Sequence, residues 1–129
     1  VVRALQDANR KGLQARQKQQ YEEAVNHFTE ALTKAKTLND KSLEAGLHYN
    51  MALAYFDDDK KFKALFAVEK AMDLDDAFYA SKPDAHDIRV NIASIYVSNG
   101  RLSQAKKLVD EVLKERPHHK GAKELDAQL

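Results

Sequence analysis

Apolar and small residues recur at intervals of three and four along nearly the whole chain. Leu5, Ala8, Gly12 and Ala15 form one such series, and Ala24, Phe28, Ala31, Leu32 and Ala35 the next. The period continues in Leu47, Met51, Ala54 and Tyr55, in Ala64, Ala67, Val68 and Ala71, and in Ile88, Ile92, Ile95 and Tyr96. Leu102, Ala105, Leu108, Val109 and Val112 carry it further. This is the spacing of one face of an α-helix. It predicts six helices over about 2–17, 20–37, 41–57, 61–75, 84–98 and 102–115, and a seventh, shorter one over about 118–128. Breaks fall at QKQQ, TLND, DDDK, DDAFYASKP, SNGR and ERPHH. Pro83 and Pro117 suit helix boundaries and Gly100 suits a helix end.

One stretch departs from a two-sided pattern. YNMALAYF, residues 49–56, has Asn50 as its single strongly polar residue. It sits inside a longer helical series with no turn signal beside it, so it is expected to be helix with more than one face covered.

The series also repeats on a longer scale. Asn50, Ala52 and Tyr55 recur as Asn91, Ala93 and Tyr96, and Ala64, Val68 and Ala71 recur as Ala105, Val109 and Val112, a shift of 41. A shift of 40 places Gly12 on Ala52, and Ala24, Phe28 and Ala31 on Ala64, Val68 and Ala71. The chain therefore reads as three helix pairs. Small residues at Gly12, Ala52 and Ala93, and at Ala24, Ala64 and Ala105, allow paired antiparallel helices to approach closely. Tyr55 and Tyr96 are expected to fill the space between them.

Composition narrows the function classes. With 21 basic and 20 acidic residues there is no net field to gather nucleic acid or an anionic membrane surface. There is no cysteine, which excludes disulfides, thiolate metal sites and a cysteine nucleophile. No apolar run approaches the roughly 18 residues of a membrane span. The chain begins at Val1 and not Met, which points to an excised domain or a processed chain. Nothing addresses it to a compartment, and the cytoplasm is the default expectation.

In Gly12, Tyr21, Ala24, Phe28 and Ala31, in Ala52, Tyr55, Ala64 and Ala71, and in Ala93, Tyr96, Gly100, Ala105 and Pro117, the chain resembles the tetratricopeptide repeat family. The units of 40–41 residues resemble its subgroup with long repeats. Ala15 stands where the first repeat would carry Tyr, and the first two repeats lack the closing Pro. The resemblance implies an all-α fold: an α-solenoid of three antiparallel helix pairs, wound as a right-handed superhelix, plus a C-terminal capping helix. It implies one domain over 1–129, with repeats at about 5–40, 41–82 and 83–117 and the cap at about 118–128. The extra residues of each unit are expected around TKAKTLNDKS and in the connection DDAFYASKP.

In this family the first helix of each pair lines a concave groove. The resemblance carries that role to Asn9, Arg10, Leu13 and Arg16, to Tyr49, Asn50, Leu53 and Phe56, and to Val90, Asn91 and Ser94. Amide side chains such as Asn50 and Asn91 would hold a ligand's backbone while Leu53, Phe56 and Val90 take its side chains. The implied function is a protein-interaction scaffold that binds a peptide or helical segment. The alternative is a self-association module, its groove filled by an oligomer mate or by the rest of a longer solenoid. Neither enzymatic activity nor a cofactor is implied. The carboxylate clamp of chaperone-binding members falls on Asn9, Leu13, Asn50, Asp87 and Asn91, and only Asn50 matches it. Asp87 would repel a terminal carboxylate.

Other candidates are weaker. Asp57-Asp58-Asp59 lacks the glycine and later glutamate of a calcium loop and reads as an acidic turn. His118-His119 has no partner at zinc spacing and is expected to face solvent. His86, Asp84 and Asp87 share one opening turn, where Asp favours the helix dipole. His27 and His48 are lone helical residues. No phosphate loop or nucleophile–base pairing signal is present. Gly46, inside the third predicted helix, marks either a close approach by a ligand or backbone or a tolerated irregularity.

Overall fold

The computed structural model describes residues 1–129 as seven α-helices without strands. They are α1 (Val2–Gln17), α2 (Tyr21–Lys36), α3 (Lys41–Asp57), α4 (Lys61–Leu74), α5 (Ala85–Ser98), α6 (Leu102–Glu115) and α7 (Lys120–Asp126). The fold is all-α and solenoid-like. The chain divides into two compact units, Val1–Phe78 and Tyr79–Leu129, a division that falls ahead of the expected repeat limit at 82/83. In the first unit α1 packs on α2, α2 on α3, and α3 on α4; in the second α5 packs on α6, and α7 on both.

The three helix pairs turn in the same way. After α1, the N–H groups of Gln19 and Gln20 donate to the carbonyls of Arg16 and Ala15 at 3.0 and 2.8 Å. Asp59 and Lys60 repeat this on Phe56 and Tyr55 at 3.1 and 2.9 Å, and Gly100 and Arg101 on Val97 and Tyr96 at 3.0 and 2.9 Å. Each turn places one residue in the left-handed region, Gln19 at φ 62°, Asp59 at φ 59° and Gly100 at φ 74°. These residues stand at the same 40- and 41-residue spacing as the small-residue signature. Only the third turn uses glycine, which reaches that region without the side-chain penalty. Gly46 is the reverse case, a helical glycine with nothing within 4 Å of where a Cβ would stand. It is therefore an irregularity and not a point of close approach in the free chain. Gln19→Gly and Gly46→Ala are each expected to stabilise the first unit by about 0.5–1 kcal/mol. A denaturation midpoint that fails to rise in both variants would contradict these assignments.

Close helix approach rests on the predicted small residues. Ala24, Ala52, Ala64, Ala93 and Ala105 are fully buried. A Cβ on Gly12 would stand 2.5 Å from Cε1 of Phe28, so the Phe28 ring occupies the space a side chain would need. Around this contact, Ala15, Ala24, Phe28 and Ala54 form one core cluster, with Val25 and Met51 against it. Leu5, Ala8, Ala31, Leu32, Ala35 and Leu47 form another.

The YNMALAYF helix is covered on two sides because α3 lies between α2 and α4. Leu47 and Met51 join the clusters shared with α1 and α2. On another side the Tyr49 ring, 7% exposed, meets Phe78 at a centroid distance of 5.7 Å. Phe78 comes from DDAFYASKP, so that connection is not filler. Its neighbour Tyr79 is buried in the second unit, where the Arg89 guanidinium stacks 5.0 Å from its ring centroid. The two tyrosines expected to fill equivalent spaces differ. Tyr96 is buried, whereas Tyr55 is only half-buried, with Lys63 Nζ 5.8 Å from its ring centroid.

His48 is half-buried on α3, and burial holds it below its ordinary value of 6.5. Lys70 and Lys36 push the same way and Glu44 opposes them. A histidine kept neutral in the fold binds its proton more readily when unfolded, so it lowers stability as pH falls through 6.5 toward the folded value. His48→Gln is expected to flatten the pH dependence of stability in that window. A wild-type slope retained in the variant would contradict this.

Candidate functional site

The site on the first unit is built from α1 and α3. Asn50 Nδ2 donates to Asn9 Oδ1 at 3.0 Å, and Arg16 Nε donates to Asp57 Oδ2 at 2.6 Å. Both links join residues 41 apart, so α1 and α3 run parallel and in register. The Arg16–Asp57 pair is about one-third exposed on each side. Along the helix axes, Leu13 lies between Asn9 and Arg16, and Leu53 and Phe56 lie between Asn50 and Asp57. Leu13 is 42% exposed; Leu53 and Phe56 are half-buried. Arg10 is exposed and paired within its own helix to Asp7 at 3.2 Å.

The amide pair has capacity left. An Asn side chain offers two N–H donors and a carbonyl with two lone pairs. The bond between Asn50 and Asn9 uses one donor of the first and one lone pair of the second. The Asn9 amide nitrogen and the Asn50 amide oxygen then remain as a donor and an acceptor beside Leu13.

Among the expected groove residues of this unit, Tyr49 differs. Its ring is packed on Phe78 and does not lie on an open face. Leu53 and Phe56 are less open than a free groove stripe would be, because α3 is flanked by helices on both sides. Asp57 was expected only as part of an acidic turn, yet it anchors Arg16. The signal available in sequence was an acid 41 residues beyond an arginine, with nothing to separate it from chance.

In the second unit, Asn91 is exposed and Val90 half-buried. The Ser94 hydroxyl donates to the Val90 carbonyl at 3.0 Å. A Cβ on Gly121 of α7 would stand 3.4 Å from Val90 Cγ1, so α7 partly covers that position. His119, expected in solvent, is instead a structural residue. Its Nδ1 accepts from the Ala122 N–H at 3.1 Å, capping α7. That fixes the proton on Nε2, which donates to Asp87 Oδ1 at 2.9 Å. Asp87 thus ties α5 to the start of α7. His86 Nε2 lies 3.4 Å from Glu115, and its Nδ1 lies 3.2 Å from Arg89 Nη1. No group of three His, Asp or Glu side chains is placed to hold a metal ion. No helix is long and apolar enough to cross a membrane.

A family model described as tetratricopeptide repeat matches residues 63–129, more than half of the chain. The chain belongs to the tetratricopeptide repeat family. No match was found among curated proteins. Among solved structures, the Arabidopsis OM64 TPR domain is similar in fold, with a TM-score of 0.72. The two share 24% identity over 98% of this chain and 93% of that one. TPR folds generally mediate protein–protein interactions by binding proteins or peptides, and the family's members are typically non-enzymatic scaffolds.

Proposed function

We propose that the α1–α3 face binds an extended segment of a partner protein. The unspent donor on Asn9 and acceptor on Asn50 carry this reading. One peptide group presents a carbonyl and an N–H, and this pair can satisfy both. Exposed Leu13 and half-buried Leu53 and Phe56 supply apolar contact for the side chains on either side. Arg16 and Asp57 neutralise each other at the far end of the face and hold the two helices at fixed separation. By repeat position, Val90, Asn91 and Ser94 form the corresponding candidate surface of the second unit by itself, with Asn91 the most open of them.

Selection from a displayed random-peptide library tests the proposal. Enriched peptides should bind the wild-type chain and lose at least about tenfold in affinity on Leu13→Ser/Phe56→Ser, since one buried apolar anchor contributes roughly 1.5–3 kcal/mol. They should also weaken on Asn9→Ala/Asn50→Ala, whose circular dichroism should match wild type. Peptides that bind these variants as tightly as wild type, or a library with no enrichment, would overturn it.

By the clamp positions that the family resemblance assigns, the chain is expected to be a poor receptor for acidic C-terminal tails. Leu13 and Asp87 stand where a clamp requires polar and cationic groups. A peptide ending in an acidic carboxylate is expected to show no binding by calorimetry. Micromolar affinity that disappears when the C-terminus is amidated would contradict this.

A further inference from the structure

Of the six asparagines in the chain, only Asn99 is followed by glycine. Glycine carries no Cβ beside its amide nitrogen, so that nitrogen can attack the preceding carboxamide with little hindrance. Asn91 is more exposed than Asn99, but Ile92 follows it and shields its amide. In the turn between α5 and α6 both reacting groups of Asn99–Gly100 are held apart. The carboxamide Nδ2 donates to the Ile95 carbonyl at 2.9 Å and lies 3.4 Å from Ser98 Oγ, which draws it back over the last turn of α5. The Gly100 N–H donates to the Val97 carbonyl at 3.0 Å, and Arg101 N–H to Tyr96 at 2.9 Å. Asn99 has ψ 11°, which sets the Gly100 nitrogen on the side of the Asn99 amide nitrogen and away from its Cβ. Ring closure between Gly100 N and Asn99 Cγ needs the opposite arrangement. Reaching it means rotating the Asn99 Cα–C bond and breaking the hydrogen bonds of Gly100 and Arg101.

We propose that Asn99 is a deamidation site of the chain, closed while the α5–α6 turn is folded and reactive when that turn opens. In the open turn the Gly100 nitrogen gives its proton to solvent base and bonds to Asn99 Cγ. The Cγ–Nδ2 bond breaks, ammonia leaves with a proton from solvent, and a five-membered succinimide remains. Water then opens the ring. Cleavage of the new bond to Cγ leaves aspartate, and cleavage of the original peptide bond leaves isoaspartate. Water is the only co-reactant. Neither product fits the original turn. Aspartate has no N–H for the Ile95 carbonyl and sets a carboxylate at the C-terminal end of α5, where the helix dipole disfavours it. Isoaspartate adds a methylene to the main chain just before Gly100 and Arg101, which shifts both donors off Val97 and Tyr96. Tyr96 is buried, so the loss loosens the packing of α5 on α6. A transient opening of the second unit is thereby made permanent.

Peptide mapping by mass spectrometry tests this on the full chain, incubated in mildly alkaline buffer with and without urea. In denaturing urea, deamidation should fall first on Asn99 and give both aspartate and isoaspartate. The folded chain should react at least about tenfold more slowly, because only the open fraction of the turn is competent. Between these limits the rate should rise in step with hydrogen exchange at the Gly100 and Arg101 amides. Gly100→Ala should slow the reaction at least about tenfold in urea, where the fold plays no part and only the added Cβ matters. Asn99→Asp, which carries one product directly, should raise the unfolding constant by about fivefold through the lost bond to Ile95. Equal rates in folded and unfolded chain, modification led by another asparagine, a Gly100→Ala chain that reacts as fast as wild type in urea, or an Asn99→Asp chain as stable as wild type would each overturn the proposal.

Discussion

Gly12→Ala is expected to destabilise the first unit by about 1–3 kcal/mol, although alanine is the better helix former by about 1 kcal/mol. The added Cβ would stand 2.5, 2.6 and 2.9 Å from three carbons of the Phe28 ring. These separations lie far inside van der Waals contact. Phe28 is fully buried among Ala15, Ala24 and Ala54, so the ring cannot yield without opening its own cluster. The steric term therefore exceeds the propensity gain. Shrinking the ring should relieve the overlap: Phe28→Leu, costly alone, should cost less in the Gly12→Ala background. A double-mutant cycle by urea denaturation should show coupling of about 1 kcal/mol or more. A Gly12→Ala chain more stable than wild type would mean that α1 and α2 do not approach as described.

Phe78→Ala should cost more, about 3–5 kcal/mol, although Phe78 lies in a connection between helices. It is 2% exposed and its ring meets Tyr49 on α3, an aromatic pairing that adds roughly 0.5–1.5 kcal/mol beyond burial. Tyr55→Ala, at a half-buried ring, should cost less than this. The comparison is made by denaturation midpoints in one buffer. A Phe78→Ala effect within about 0.5 kcal/mol, the scale of ordinary surface changes, would return the segment to the status of a passive loop.

These two cases mark what the sequence could and could not disclose. The helices were readable because the apolar period runs through each of them, and the boundaries moved by only a few residues. Gly12 and the buried alanines were readable because close approach restricts residue type at fixed spacing. The cover on Tyr49 was not, because its partner Phe78 lies in a segment without periodicity, and a stripe at i, i+4, i+7 looks alike whether it faces solvent or a folded-back connection. Tyr55 and Tyr96 occupy matching repeat positions, yet only Tyr96 is buried, since repetition fixes a backbone position and not what surrounds it. The Arg16–Asp57 link and the His119 cap each depend on one geometric coincidence between distant residues, which no local pattern records. Conversely, the exposed Phe62 and Phe66 become conspicuous only once α4 is seen to bury its other side.

An extended partner segment on α1 and α3, as proposed, would have its backbone held by the amides of Asn9 and Asn50. Nuclear magnetic resonance of the ¹⁵N-labelled chain titrated with the tightest library-selected peptide tests it most directly. The side-chain amide signals of Asn9 and Asn50 should shift first, together with the backbone signals of Leu13, Leu53 and Phe56, while those of Phe62 and Phe66 on α4 stay in place. Unmoved Asn9 and Asn50 side-chain signals, with the shifts gathered on α2 and α4, would contradict it.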